Sequence, residues 1–316
     1  MEEAWLWRWK HFFGWLFGFV GVILTVITGF ELLSKFQAAQ NNISIVSTVY
    51  VFVVTFSILI VSIYYVFNSI RKERYANIVR SLHSVNHQAR DLYTYILAME
   101  PRGQSKQAYE NFLNSAKSMF GAILDQTVIV YTTLTSTHCR AAIKLTYPLE
   151  RPGANDEVHV FTLARDKSSR QDCKDRDNWR VQHNSDPLDG NPHLARIFSS
   201  ANQTWHFISN NLKLDKAYRS TSVIAYNPEI VTKPLPDGKK WALPYRSCVT
   251  CVIGQAAFEQ CPDLPTKIQG FLTVDSESRG VFEERWDVQV LFMIADALYG
   301  PLREYQAAAN RGKDAS

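Results

Sequence analysis

The sequence predicts an α+β protein with two N-terminal transmembrane helices, a helical coiled-coil linker and a C-terminal antiparallel sheet flanked by helices. Three patterns indicate this: two long uncharged runs near the N-terminus, a regular apolar stripe after them, and strand-like segments between two amphipathic helices. The chain has 316 residues, and domains of roughly 150 residues are typical. We expect a membrane hairpin at 1–70, a linker at 71–100, an α+β domain at 105–310 and a tail at 311–316.

The two uncharged runs are the basis of the membrane prediction. No Asp, Glu, Lys or Arg lies between Lys10 and Glu31, or within residues 43–67. At about 1.5 Å per helical residue, each run is long enough to cross a hydrocarbon core of roughly 30 Å. Transmembrane spans are therefore predicted at 12–33 and 43–67. Two buried core helices are the alternative.

Charged residues around these runs predict the orientation. Arg8 and Lys10 precede the first run, three basic residues follow the second within residues 71–74, and the connector carries only Lys35. Basic residues favour the cytoplasmic side of a membrane. We therefore expect both termini in the cytoplasm and both spans in the inner (plasma) membrane. The net charge of +4 is too small to indicate a nucleic-acid partner.

The linker carries a heptad pattern in which apolar residues recur at alternating steps of three and four. Two interpretations remain open. In the first, two chains pair as a parallel coiled coil and form a homodimer or higher oligomer. In the second, the stripe packs on the domain of its own chain. The predicted dimerisation residues are Tyr75, Ile78, Leu82, Val85, Ala89, Leu92, Ile96 and Met99.

The linker helix should end at Pro101 and Gly103, because neither residue favours continuing a helix. His83 and His87 lie four residues apart on one face of it. That spacing can bind a metal, but it is more often solvated polar surface, and we predict no metal there.

The domain after the linker alternates helix and strand patterns. An amphipathic helix is predicted at 105–124 and a long polar surface loop at 165–192. A short helix is expected at 192–200 and a turn at 233–240. Short strand-like runs lie at 126–134, 141–147, 158–163, 205–208 and 222–226.

The C-terminal part has the clearest pattern. Strands are predicted at 245–258 and 268–275, joined by a hairpin-type connection. A helix should follow from about Glu283, with Gly300 and Pro301 interrupting or kinking it. The residues expected to face inward from this helix are Trp286, Val290, Met293, Ile294 and Ala297.

The segment YRSCVTCVIG, followed by GFLTVDSESRGVFEERWDVQVLFMIADALYGPL, resembles the end of a GAF domain. The resemblance covers residues 245–302 and weakens in the middle of the domain. It implies a ligand pocket on one sheet face, roofed by loops and short helices, and dimers formed through flanking helices. The matching positions are Gly270, Leu272, Asp275, Ser276, Phe282, Asp287, Leu291 and Ala295.

The resemblance also places the pocket roof in a stretch rich in aromatic residues, next to a strand with one more polar face. Aromatic faces with an arginine suit a stacked base or another flat anionic ligand. The alternative is that the aromatic residues belong to the core and the arginines pair with carboxylates. The candidate ligand contacts are Trp205, Tyr218, Arg219, Tyr226, Trp241, Arg246 and Thr250.

Cys248 and Cys251 form a CxxC motif, a spacing found in zinc and redox sites. On a strand, however, residues three apart point to opposite faces. We therefore expect ordinary strand cysteines, without zinc or another cofactor. A reducing cytoplasm also argues against structural disulfides.

The sequence contains no P-loop, no GxGxxG after a strand, no HExxH or GxSxG motif and no histidine-kinase catalytic block. We therefore expect a sensor rather than an enzyme. Its GAF-like domain would bind a small ligand, with a nucleotide as one candidate, and signal through a dimeric helix to the membrane hairpin or to a separate output protein. A membrane-acting defence effector is an architectural analogy for the output. The alternatives are a membrane adaptor that recruits a protein partner, and a thiol-based redox enzyme, because some GAF proteins reduce oxidised methionine.

Overall fold

The computed structural model describes residues 29, 31, 34, 44–103, 105–149, 157–172, 186–199, 205–216, 218, 243–255 and 267–314. The chain divides into two compact units, Met1–Tyr75 and Ala76–Ser316. The helices are α1 (Ser44–Met99), α2 (Lys106–Thr135), α3 (Lys167–Asp172), α4 (Pro192–Phe198) and α5 (Glu284–Asp314), with a 3-10 turn at Leu188–Gly190. The strands are β1 (Cys139–Leu149), β2 (Glu157–Arg165), β3 (Asp186–Pro187), β4 (His206–Ser209), β5 (Ser247–Gln255) and β6 (Lys267–Ser276).

Most residues of α1 between Val51 and Ile70 are apolar, and most of their side chains are exposed. Large side chains such as Phe52, Tyr64 and Phe67 are 66–70% exposed. Within the described part of the chain, one helix, Val51–Met99, is long and apolar enough to cross a membrane. The first predicted span, 12–33, lies outside the described residues apart from Gly29 and Glu31. The structure therefore supports one candidate span rather than two.

The part of α1 in the second unit carries the heptad stripe, and four of its residues are buried in the core of the same chain. Val85, Ala89, Leu92 and Ile96 pack in a cluster with residues of α2, α5 and the sheet. This contradicts their predicted availability for a coiled coil, because a side chain enclosed in its own domain cannot also line an interface between chains. The outer heptad positions differ: Tyr75 and Met99 are exposed, and Ile78 and Leu82 are half-buried.

Helix α2 is longer than predicted and includes the whole of 126–134, which the sequence suggested was a strand. The buried residues Phe120, Leu124, Thr127 and Tyr131 continue a stripe at helical spacing. Burial of this stripe outweighs the β-propensity of the Thr and Val residues around it. The helix ends at Thr135, and Ser136, which follows it, adopts a left-handed conformation with φ of 56°.

The strands form one six-stranded antiparallel sheet in the order β3-β2-β1-β6-β5-β4. This confirms the predicted α+β class with an antiparallel sheet. Gly270 permits β1 and β6 to lie side by side, because a Cβ there would collide with the carbonyl oxygen of Lys144. The strand at 222–226 and the turn at 233–240 lie outside the described residues.

The polar stretch 165–192 is only partly a loop, and the prediction of one long surface loop was wrong. Helix α3, strand β3 and the 3-10 turn all lie within it. The Asp166 carboxylate caps α3 by accepting a hydrogen bond from the backbone N–H of Ser169 at 2.9 Å. It also accepts one from the backbone N–H of Ala141 at 2.8 Å. Burial alone would raise the pKa of Asp166, but hydrogen bonds from Ser168, Ser169 and Ala141 hold it below its usual range. Residues 173–185 are not described.

Helix α5 is continuous through Gly300 and Pro301, so the predicted interruption is wrong, whereas a kink at these residues stays a prediction. Two of the residues expected to face inward, Trp286 and Met293, are 56% and 54% exposed. The core instead buries another stripe of the helix, which extends to Ala308. That buried stripe comprises Val288, Leu291, Ile294, Ala295, Leu298, Leu302 and Ala308.

Candidate functional site

The two faces of the sheet have different surroundings, and one of them holds the candidate site. The helix-covered face packs Ile143, Val249 and Leu272 into a core with residues of α1, α2 and α5. Because side chains alternate along a strand, the residues between them point to the opposite face. We call that opposite surface the polar face. Its central residues are Arg140, Ala142, Lys144, Thr162, Arg165, Cys248, Thr250, Thr273 and Asp275.

A β-bulge brings the two β2 residues onto the polar face. Ala142 pairs with Arg165, whereas Lys144 pairs with Thr162, so β2 contains one extra residue over this interval. Thr162 and Arg165 are three apart and would normally point in opposite directions. The bulge re-aims one of them, and the Arg165 Nη2 donates a hydrogen bond to the Thr162 Oγ1 at 3.4 Å.

Asp275 is the acidic residue at the centre of this face. Burial raises its pKa to about 7, and the positive charges of Lys144, Arg165 and Arg140 partly oppose that rise. In the sheet it pairs with Arg140 on one side and Cys248 on the other. The carboxyl group therefore titrates close to neutral pH, within a group of basic side chains.

Two buried threonines extend the polar surface along β5 and β6. The Thr250 Oγ1 donates a hydrogen bond to the Thr273 Oγ1 at 3.1 Å. Both side chains are buried, and the two residues face each other in the β5–β6 register. A buried hydroxyl costs free energy unless it is hydrogen-bonded, and this pair meets that requirement internally.

The other half of the same face is apolar and covered by α4 and the segments around it. The Tyr218 ring lies with its centroid 4.6 Å from that of His193 and also stacks with Phe207. The Tyr218 hydroxyl donates a hydrogen bond to the hydroxyl of Tyr245 at 3.3 Å, and burial raises the pKa of Tyr218 well above its usual value. Trp205 packs half-buried against this cluster.

The structure brings some of the predicted ligand contacts together. Trp205, Tyr218 and Thr250 all belong to this side of the sheet. Arg246 is exposed just before β5, and its backbone N–H donates to the carbonyl oxygen of Ser276 at 2.7 Å. The remaining three candidates lie outside the described residues: Arg219, Tyr226 and Trp241.

Several residues of the polar face were not among the predicted contacts. The sequence did not indicate Lys144, Thr162, Arg165 or Thr273, and it indicated Asp275 only through the family resemblance. The sequence of β1 does contain a signal. Every second residue belongs to the set Arg140, Ala142, Lys144 and Thr146, and the residues between them face the core on the other side of the sheet. Such alternation usually marks a solvent-facing side of a sheet, so it does not by itself indicate a site.

The CxxC cysteines lie on opposite faces, as predicted. Cys248 belongs to the apolar cluster beside α4, whereas Cys251 packs in the core, where its Sγ donates to the carbonyl oxygen of Leu291 at 3.7 Å. Burial raises the pKa of both thiols well above the usual value. Cys248, Cys251 and Cys139 are free thiols. Within the described ranges, no group of three or more His, Cys, Asp or Glu residues could hold a metal.

Comparison with known proteins gives likenesses of structure alone. No protein family and no curated protein matches the chain. Three solved structures illustrate the likeness. A GAF sensor protein of Burkholderia vietnamiensis shares 11% identity and a TM-score of 0.34, covering 72% of this chain and 98% of that one. The GAF domain of an Acinetobacter phosphoenolpyruvate-protein phosphotransferase shares 13% identity and a TM-score of 0.32, covering 70% and 97%.

The third structure is an enzyme. The type II free methionine-R-sulfoxide reductase of Thermoplasma acidophilum shares 11% identity and a TM-score of 0.33, covering 60% of this chain and 96% of that one. Two of these similar structures are GAF domains, the family that residues 245–302 resemble in sequence. At these identities and TM-scores, the likeness gives no information on ligand or activity.

Proposed function

We propose that this chain is a membrane-anchored sensor whose GAF-like domain binds a small ligand on the polar face of the sheet. The observation that carries the proposal is the concentration of charged and hydroxyl groups around Asp275 on a buried or half-buried sheet surface. Burying polar groups opposes folding unless they are well satisfied. Apolar residues would fill this face at lower cost, so a binding role explains the polar ones.

The membrane part of the proposal rests on α1. Its apolar segment ends at Ile70 and is followed by the exposed cations Arg71, Lys72 and Arg74. We propose that this segment spans the plasma membrane and that the uncharged run at 12–33 forms a second span. The basic residues on the outer flanks of the hairpin then favour cytoplasmic termini.

Signalling in this proposal runs from the ligand site through α1 to the hairpin or to a separate output protein. A ligand shifts such an equilibrium only by binding one state more tightly than the other. Dimers would pair through the outer heptad positions Tyr75, Ile78, Leu82 and Met99, which are not fully buried. A nucleotide is one candidate ligand, because Trp205 and Tyr218 lie on the same side of the sheet as the polar group. A defence role is one candidate output.

The test uses the full chain in detergent micelles and a panel of nucleotides and small metabolites. We expect at least one compound to raise the melting temperature, since a ligand that binds only the folded state stabilises it. Trp205→Ala should reduce that shift, whereas the matched change Trp286→Ala on the exposed surface of α5 should not. The same preparation tests the membrane part: after cell lysis without detergent, the chain should sediment with membranes.

Two outcomes would contradict the proposal. A chain that stays in the supernatant after high-speed centrifugation is not membrane-anchored. A chain that no compound stabilises, but that copurifies with a defined protein, is an adaptor. For the three described cysteines, Cys139, Cys248 and Cys251, a redox role is disfavoured because burial raises the pKa of each thiol and keeps it protonated.

A further inference from the structure

We infer that His83 and His87 of α1 form a binding site for a divalent transition metal of the class represented by Ni²⁺ and Cu²⁺. This inference goes beyond the proposed function and does not depend on it, because both side chains lie on the exposed surface of α1 and not on the sheet. The spacing of the two residues in the sequence did not by itself predict a metal. The positions of their ring nitrogens, and of the two charged residues beside them, carry the inference.

The two imidazole rings present the same nitrogen atom to each other. His83 and His87 are four residues apart on one helix, which places their side chains next to each other. Their Nε2 atoms are 2.9 Å apart, whereas the ring centroids are 4.2 Å apart, so the rings converge at these atoms. With metal–nitrogen bonds of about 2.0–2.1 Å, as in zinc–imidazole bonds, two nitrogens at 2.9 Å subtend an angle of about 90° at a shared metal ion.

The ligand type and this angle together favour one class of metal. Imidazole nitrogen suits Zn²⁺, Cu²⁺ and Ni²⁺, whereas Mg²⁺ and Ca²⁺ prefer oxygen ligands. Zn²⁺ in proteins is usually tetrahedral, which requires a wider angle between ligands. Cu²⁺ and Ni²⁺ accept square-planar and tetragonal arrangements, in which neighbouring ligands lie at right angles. Because both histidines are exposed, water can occupy the remaining coordination positions, and the geometry points to Ni²⁺ or Cu²⁺ ahead of Zn²⁺.

Arg90 controls which nitrogen of His87 carries the proton. The Arg90 Nη2 lies 2.9 Å from the His87 Nδ1, and a guanidinium group can only donate. The Nδ1 therefore accepts this hydrogen bond, and a neutral His87 carries its proton on Nε2 and donates it to the Nε2 of His83. In this arrangement the Nε2 of His87 has no free lone pair for a metal. Metal binding requires the proton to move to Nδ1 and Arg90 to move away, so Arg90 competes with the metal.

Asp91 is placed to replace Arg90 as the partner of His87. The same Arg90 Nη2 lies 3.4 Å from the Asp91 Oδ1, so the carboxylate lies near the Nδ1 end of the His87 ring. A metal-bound histidine commonly donates its other ring N–H to a carboxylate, which fixes the orientation of the ring and raises its basicity. The side chains of Arg90 and Asp91 are 66% and 63% exposed, so this exchange of partners does not disturb the core. Asp91 is therefore a positioning residue for the metal site.

The experiment titrates the full chain in detergent micelles, purified without a polyhistidine tag, with Ni²⁺, Zn²⁺ and Mg²⁺ in an isothermal titration calorimeter. We expect Ni²⁺ to bind more tightly than Zn²⁺, and Mg²⁺ not to bind. His83→Ala and His87→Ala should each weaken Ni²⁺ binding by about tenfold or more, because each removes one of two protein ligands. Both positions are exposed and alanine favours a helix, so these variants should fold. His138→Ala, at another exposed histidine, is the matched control and should bind Ni²⁺ like the wild type.

Two further variants test the neighbouring charges. Arg90→Ala should tighten Ni²⁺ binding by about two- to fivefold, the scale of one exposed charge–charge interaction. Asp91→Asn should weaken it by up to about tenfold. Arg196→Ala, an exposed change on α4, controls for the loss of one positive charge and should have no effect.

Three results would contradict the inference, and none of them bears on the ligand of the polar face. Equal Ni²⁺ affinity in the wild type, His83→Ala and His87→Ala would place the bound metal elsewhere and overturn the site. Tighter binding of Zn²⁺ than of Ni²⁺ would overturn the assigned metal class. Unchanged affinity in both Arg90→Ala and Asp91→Asn would overturn the exchange of partners at His87.

Discussion

The two faces of the sheet differ in chemistry although both are largely buried. Along β5, Val249, Cys251 and Ile253 enter the core with the helices, whereas Cys248 and Thr250 point the other way. All five side chains are almost inaccessible. Burial alone therefore does not distinguish a face that stabilises the fold from one that is proposed to bind a ligand. What differs is the polarity of the buried groups.

The covers of the two faces also differ. On the helix-covered face, α2 and α5 pack long apolar stripes against the sheet, and the second part of α1 contributes to the same core. On the polar face, the described cover consists of short elements, mainly α4 and the 3-10 turn, over its apolar half. A cover of short segments can be rearranged at lower cost than packed helices, because fewer apolar contacts are broken. This suits the polar face to admitting a ligand.

The largest effect is expected on the helix-covered face. Leu92→Ala should lower the free energy of unfolding by about 2–5 kcal/mol, because it removes a fully buried leucine and leaves a cavity. Leu97→Ala, on an exposed part of the same helix, should change it by less than about 0.5 kcal/mol. Urea unfolding of the full chain in detergent measures both.

The same pair of variants also tests the heptad. If Leu92 packs within its own chain, the loss in stability is independent of protein concentration. A loss that shrinks as the concentration rises would instead place Leu92 in an interface between chains, and would contradict its position in the core.

A smaller change in the free energy of unfolding, an increase, is expected for a substitution on the polar face. The pKa of Asp275 is raised from its ordinary value of 3.8 to about 7, so the folded state binds a proton more tightly than the unfolded state does. The stability that this carboxyl group contributes is complete below about pH 4 and is lost as the pH rises to about 7. Asp275→Asn should therefore be the more stable protein at pH 8, by about 1–3 kcal/mol after discounting for partial exposure.

The pH dependence is the decisive part of this measurement. Unfolding curves of wild type and Asp275→Asn should converge at pH 4 and separate between pH 4 and pH 7. A difference in the free energy of unfolding that stays constant across that range would mean that the pKa of Asp275 is not raised. The two faces of the sheet would then not differ in their electrostatics. The change Glu110→Gln, at an exposed position on α2, serves as the control.

The sequence predicted most strands because their apolar residues alternate. For the same reason it predicted that the two cysteines of the CxxC motif lie on opposite faces of the sheet. It failed where tertiary packing decides between two patterns. The β-branched residues of 126–134 suit a strand, but the buried stripe that includes Tyr131 keeps them helical. Trp286 belongs to an apolar stripe that the sheet does not bury. Only strand pairing reveals the bulge that places Arg165 beside Thr162, so no single segment could indicate the polar face.

The smallest effect tests whether the polar face is satisfied internally. Thr250→Val removes the donor to Thr273 and leaves a buried hydroxyl, which should cost about 1 kcal/mol. The double variant Thr250→Val/Thr273→Val removes both partners, and should recover most of that loss because no polar group is then left unpaired. A double-mutant cycle from urea unfolding measures the coupling. If the two losses simply add, the hydroxyls are not coupled, and each must meet its hydrogen-bonding requirement elsewhere on this face.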